Sequence, residues 1–144
     1  MDWVTEQVAV SEYPSSKTDL LQFDGILNLD RYTPYKTDVR LEHMPLIDGP
    51  GNTPEAVADV LERMDSLLQN NGRVLVHCAA GVSRSPFVIG LYISWKQGMV
   101  FEKALDLVAA RRSRNLNVDP GLVEIAEDVL DVISQRATNA QDGR

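Results

Sequence analysis

Apolar and polar positions along this chain follow two rhythms, one of period two and one of helical period. Val4, Val8 and Val10 stand at even spacing, which predicts a strand near the start. Residues 13–16 read as a turn, with Ser16 placed to cap a short helix through Gln22. Residues 25–29 form a short apolar run closed by polar residues, a buried strand. Residues 31–38 read as a loop, and residues 39–44 alternate apolar and polar, a half-buried strand. Two glycines and two prolines then leave residues 45–52 without regular structure.

The helical rhythm takes over after Thr53, a cap followed by Pro54 at the first helical position. Val57, Val60, Leu61, Met64, Leu67 and Leu68 recur on one face, and Asn70, Asn71 and Gly72 end the helix. Val74, Leu75 and Val76 are a second buried strand candidate. Residues 87–95 are apolar on nearly every side, so they predict a helix enclosed by the rest of the fold, stopped by Gly98. Residues 101–111 are a shorter amphipathic helix with Ala104, Leu105 and Val108 inward. Asp119 and Pro120 open a last helix lined by Leu122, Ile125, Ala126, Val129 and Ile133. This order predicts an α/β fold, a central and mostly parallel twisted sheet of about four to five strands flanked by helices. One domain is expected over residues 1–137, with 138–144 a polar, disordered tail.

Composition narrows the function. The net charge of −7 and a pI near 4.7 argue against nucleic acid as a partner over a broad surface. No apolar run approaches the ~18 residues of a membrane span, and the first residues lack the pattern of a signal peptide. The single cysteine, Cys78, leaves no internal disulfide and no multi-cysteine metal site. A free thiol fits a reducing compartment, so a cytoplasmic monomer without metal or cofactor is expected.

Cys78 stands where the Val74–Val76 strand gives out, and the long apolar helix follows a few residues later. A strand, a tight loop and a helix N-terminus make an anion cradle, because the first helical N–H groups have no partner and the dipole is positive there. The same field stabilises a thiolate, and Arg84 adds a planar fork for two phosphate oxygens. The string His77-Cys78-Ala79-Ala80-Gly81-Val82-Ser83-Arg84-Ser85 closely resembles the signature of the cysteine-dependent protein tyrosine phosphatases, most of all the small dual-specificity type.

The resemblance implies attack by Cys78 on phosphorus, with a phosphocysteine intermediate. The amides of Ala79, Ala80, Gly81, Val82, Ser83 and Arg84 would hold the equatorial oxygens, and Ser85 would ease departure of the sulfur. A carboxylic acid must protonate the leaving oxygen. Asp48, in the glycine- and proline-rich loop where the family carries its acid, is the candidate, and the flanking glycines give that loop a hinge-like setting. Asp30 and Asp38 are rivals, expected at the opposite end of the strand that delivers Asp48. His77 is read as structural support for the loop, Ser83 as a small filler beyond its amide, and His43 as an outward-facing strand residue without a catalytic part. Arg111 and Arg112 are either a solvated helix end or, as the resemblance implies, a substrate rim.

The substrate expected is a phosphorylated protein or peptide carrying phosphotyrosine, with phosphoserine and phosphothreonine as extensions. The alternatives are a phosphoinositide, a phosphoglycan or an RNA 5′-phosphate on the same fold, and behind them a rhodanese-like sulfurtransferase or a non-catalytic phosphate-binding module. Neutral Ala79, Ala80 and Val82 weigh against the lipid, and the acidic pI against the RNA.

Overall fold

A computed structural model describes residues 1–32 and 35–142. Of the expected 31–38 loop, residues 33 and 34 lie outside that range. Among the described residues five strands form one sheet: β1 (Asp2–Trp3), β2 (Val8–Ser11), β3 (Gly25–Asn28), β4 (Arg40–His43) and β5 (Val74–His77). Their order is β1-β2-β5-β3-β4. All neighbours are parallel except β1 with β2. The central strands are buried on both faces, which is why β2, β3 and β5 read as continuous apolar runs while edge strand β4 alternates. The strand expected from Val4 onward is instead a hairpin. Thr5 Oγ1 accepts from the amides of Gln7 and Val8, and this hydroxyl turn folds β1 back onto β2.

The helices are α1 (Pro54–Leu67), α2 (Arg84–Gln97), α3 (Phe101–Arg111), α4 (Pro120–Val123) and α5 (Ala126–Asp142). Thr53 caps α1 by accepting from the Ala56 amide, a contact worth about 1 kcal/mol. All five helices send side chains into one apolar cluster with Val8, Val10, Leu27, Val74 and Val76. Ala9, Ile26 and Leu75, alternate residues of the same strands, face the other way. There they meet Phe23 from a connecting segment, with Trp3, Leu20, Tyr35, Val39 and Leu41 packed around them. α2 is buried from Arg84 through Leu91, as its sequence requires, because it lies between the sheet and the other helices.

Three local expectations change. The early helix is a 3₁₀ turn over Leu20–Gln22 capped by Asp19, since the Ser15 and Thr18 hydroxyls are used in a preceding turn. The last helix is split after Val123, where the Ile125 amide tightens onto the Leu122 carbonyl. Residues 138–142, expected as a disordered tail, continue α5. Ala137, Ala140 and Gln141 are good helix formers, no glycine or proline intervenes, and Thr138 Oγ1 bonds back to the Ser134 carbonyl. The remainder of that tail lies outside the described residues. No described helix is long and apolar enough to cross a membrane.

Candidate active site

β5 runs between β2 and β3 with His77 level with Ser11 on one side and Asn28 on the other. The chain leaves the sheet at this carboxyl edge, the usual ligand-binding edge of a parallel sheet. Cys78 follows at once, 2% exposed, with Sγ 3.1 Å from Ser85 Oγ. Residues 79–83 then turn the chain into the first turn of α2. Gly81 makes the tightest part of that turn at φ +71°. A Cβ there would sit 2.6 Å from the Ser11 carbonyl carbon and 2.7 Å from Arg112 Nη2, so both the backbone angle and the space exclude a side chain.

Each carbonyl of the turn is taken from outside. Ala79 O accepts from the Tyr13 amide, Val82 O from the Asn117 amide and Ser83 O from the Phe87 amide. Ala80 O accepts from Arg112 Nη2 and Arg114 Nη1, and Gly81 O from Arg112 Nε at 3.0 Å. In a planar trans peptide the C=O and the following N–H point in opposite directions. Five carbonyls turned outward therefore aim the amides of residues 80–84 inward, a ring of donors around one centre.

Arg84 closes the ring. Its Nη1 donates to Asp30 Oδ1 (3.2 Å), Leu46 O (3.3 Å) and Leu29 O (3.4 Å). Its buried Nε has no partner among the described residues. A buried N–H in that condition costs on the order of 1–3 kcal/mol unless an acceptor arrives, so this edge of the guanidinium is built for a bound anion.

Asp30 was expected at the far end of the sheet and is not there. β3 runs parallel to β5, so a residue two places beyond Asn28 emerges at the same edge as Cys78. Its carboxylate is buried against Arg84, and its carbonyl lies 2.5 Å from His43 Nε2. His43 is therefore half-buried and turned toward the site rather than outward. Asp38 precedes β4 and stays at the opposite edge.

Asp48 lies where the sequence predicted, in the loop after β4 and on the wall of a cleft of about 450 Å³ that also includes Arg84, Ala79 and Asp30. Its Oδ1 accepts from Ser83 Oγ at 2.5 Å. Asn52 holds the loop closed by exchanging hydrogen bonds with the Ile47 amide and carbonyl, at 2.9 and 2.8 Å.

His77 is fully buried, and desolvation pushes its pKa down to about 4 despite the raising effect of the Cys78 carbonyl. The ring is therefore neutral over the working pH range. Nδ1, 3.3 Å from the Cys78 carbonyl, must carry the proton, and Nε2 accepts from the Tyr35 hydroxyl at 2.9 Å. Tyr13 packs edge-on against the same ring.

The rim reading of the basic cluster is overturned. Arg112 is buried under the phosphate-loop candidate, with Nη1 on Asp2 Oδ2 (2.6 Å), Nη2 on Glu12 Oε2 (2.9 Å) and Nε on Gly81 O. Arg111 lines a groove with Trp3 and Arg73 at the amino end of β5, away from Cys78. The exposed side chains beside the cleft include Arg31, Tyr32 and Ile47. Local sequence carried no sign of Arg112's burial, because its two acidic partners lie at the other end of the chain.

Comparison with known proteins agrees with this geometry. A family model described as the dual specificity phosphatase catalytic domain matches residues 6–124. A dual specificity protein phosphatase 4 from Gallus gallus is 32% identical over 109 residues, covering 72% of this chain and 29% of that protein. The dual specificity protein phosphatase OPG106 of vaccinia virus (strain Western Reserve) is 35% identical over 105 residues, covering 67% of this chain and 60% of that protein. The chain thus spans less than two thirds of the length of these relatives. Among solved structures, a human tyrosine phosphatase-like serine/threonine/tyrosine-interacting protein superposes with a TM-score of 0.81 at 25% identity, covering 92% of this chain and 96% of that one. PTPMT1 in complex with PI(5)P superposes at 0.78 and 18% identity, covering 93% and 96%, a likeness of fold. With the matched region spanning strands β2 to β5, the loop after β5 and the helices up to α4, the chain belongs to the dual specificity phosphatase catalytic-domain family.

Proposed function

We propose that this chain is a protein phosphatase that hydrolyses phosphotyrosine monoesters, with phosphoserine and phosphothreonine as further substrates, through a phosphocysteine intermediate. The observation that carries this reading is the ring of inward amides at residues 80–84, set around Cys78 and the unpartnered Nε of Arg84. Charge in phosphoryl transfer spreads onto three equatorial oxygens, and donors fixed in place for those oxygens lower the barrier most. Cys78 Sγ attacks phosphorus as the ester oxygen leaves, and Asp48 gives that oxygen its proton. Water then attacks the phosphocysteine, Asp48 takes the proton back, and Ser85 Oγ, 3.1 Å from the sulfur, receives the departing thiolate with a hydrogen bond.

The cleft favours a single phosphate on a protein. Among the described residues its wall offers, besides Arg84, one cation, Arg31, set against the carboxylates of Asp30 and Asp48 and the exposed side chains of Tyr32 and Ile47. A headgroup with several phosphates would meet carboxylates where it needs cations. The test is hydrolysis of p-nitrophenyl phosphate at about pH 5–7, its inhibition by vanadate and its loss in Cys78→Ser. The Cys78→Ser protein then serves as a trap in a panel of phosphotyrosine peptides, phosphothreonine peptides and phosphoinositides. Activity that survives Cys78→Ser overturns the mechanism, and preferential retention of phosphoinositides overturns the substrate assignment.

A further inference from the structure

Ser83 is buried at 5% exposure, and its hydroxyl sits at the junction of three segments. It donates to Asp48 Oδ1 at 2.5 Å. It also accepts from the backbone amide of Asp119 at 3.0 Å. The direction of both bonds is dictated by chemistry. A backbone amide can only donate, so the Asp119 N–H takes a lone pair of Oγ. The single hydroxyl proton is left for Asp48 Oδ1, which accepts it as a carboxylate oxygen and, with the acid's proton on Oδ2, as the carbonyl oxygen. Asp119 is itself fixed, since its own carboxylate caps α4 by accepting from the Gly121 amide at 2.8 Å.

The loop that carries Asp48 is pressed onto the same place. A Cβ on Gly121 would lie 2.3 Å from the Pro50 nitrogen and 2.6 Å from the Gly49 carbonyl carbon, so the two backbones are in direct contact. Three remote parts of the chain therefore converge on one hydroxyl: the loop after β4, the turn after β5 and the start of α4.

We infer that Ser83 is the positioning residue for the general acid. By occupying Oδ1 of Asp48 it leaves Oδ2 as the oxygen that carries the proton to the leaving group and later accepts one from water. It acts through Asp48 and does not touch the reacting phosphorus with its side chain. This rests on the phosphatase reading above, and it assigns the Ser83 hydroxyl a task separate from that of its amide.

The consequence is a dependence on the leaving group. A poor leaving group such as phenolate needs its proton in the transition state, whereas p-nitrophenolate departs nearly without help. Replacing Ser83 by Ala should therefore reduce kcat for phenyl phosphate about tenfold more than for p-nitrophenyl phosphate, with vanadate affinity changed less than about twofold. In an Asp48→Asn background the same replacement should change neither rate by more than about twofold, because the group it orients no longer carries a proton. An equal fall for both substrates, loss of vanadate affinity, or a full effect of Ser83→Ala in the Asp48→Asn background would overturn the assignment and leave Ser83 as a support of the loop. A parent protein inactive toward both esters would instead overturn the phosphatase reading itself, so the two failures are distinct.

Discussion

Two buried arginines flank the turn after Cys78, and they are used in opposite ways. Arg112, outside the turn, spends its guanidinium on two carboxylates and two carbonyls. Arg84, inside it, bonds through one nitrogen and, among the described residues, keeps a buried N–H bare. The first is neutralised by protein and can only hold the loop. The second is left under-satisfied by the fold, which suits it to the anion of the proposed reaction. The sequence marks Arg84 through the string it closes and reads Arg112 as a solvated helix end or a rim; the acceptors that set the two apart are brought by the tertiary structure.

The comparison can be broken most severely on the inner side. Arg84→Met should lower kcat/KM for p-nitrophenyl phosphate by ~10³ or more, the scale of losing fixed oxyanion donors, with vanadate affinity lost in parallel. Steady-state kinetics and vanadate titration measure this. Retention of affinity would mean that the bare Nε is not the anion's partner.

On the outer side the expected loss is of structure. Arg112→Met leaves the Asp2 and Glu12 carboxylates without their cation, and should cost about 3 kcal/mol in urea unfolding. The carboxyl of Asp2 is raised by burial, but the Ser113 amide, Arg112 and the Ser113 hydroxyl outweigh this and hold it below its ordinary value. Glu12 is lowered by its own amide first, then against burial by Arg112. A variant as stable as the parent would remove the distinction between the two arginines.

Asp30→Asn sharpens the comparison from a third direction. It removes the carboxylate paired with Arg84 while Leu29 O and Leu46 O still orient Nη1. Inorganic phosphate, followed by competitive inhibition, should bind several-fold more tightly, since a dianion no longer faces a buried carboxylate. Weaker binding would show that Asp30 is needed to aim the guanidinium.

A further effect is in pH. His77 has its pKa lowered to about 4 in the folded chain, against an ordinary value of about 6.5. The unfolded chain therefore binds more protons between those values. This contribution to stability is complete above about pH 6.5 and is lost as pH falls toward 4. Urea unfolding from pH 7 to 4.5 should show a decline that His77→Gln makes shallower. An unchanged slope would place the acid sensitivity elsewhere.

How much of this was legible in the sequence depends on range. α1, β5 and α2 were readable because cap, period and apolar run all agree locally, and the loop after β5 followed from them. Asp48 was a candidate because its glycine- and proline-rich loop stands where the resemblance places the acid, and that loop does border the cleft. Asp30 was misplaced because strand direction is not written in β3 itself. It depends on β3 pairing parallel to β5 across a long separation. Arg112 was misread because a run of arginines resembles a solvated helix end until Asp2 and Glu12 fold against it. The Ser83 hydroxyl gave no sign, since serine in a small-residue loop satisfies every local rule without a partner.

The outward-turned carbonyls have a consequence for how this site meets a changing charge. Water must reorient its dipoles as a phosphoryl group loosens, and that reorientation is a large part of the barrier in solution. Here the peptide dipoles have no such freedom, because turning any one of them over would break a bond to Tyr13, Arg112, Arg114, Asn117 or Phe87. The solvent response is thus frozen into the chain when it folds. Damage to the outer partners other than Arg112 should surface first as a slower reaction, at a stage when the fold is still whole.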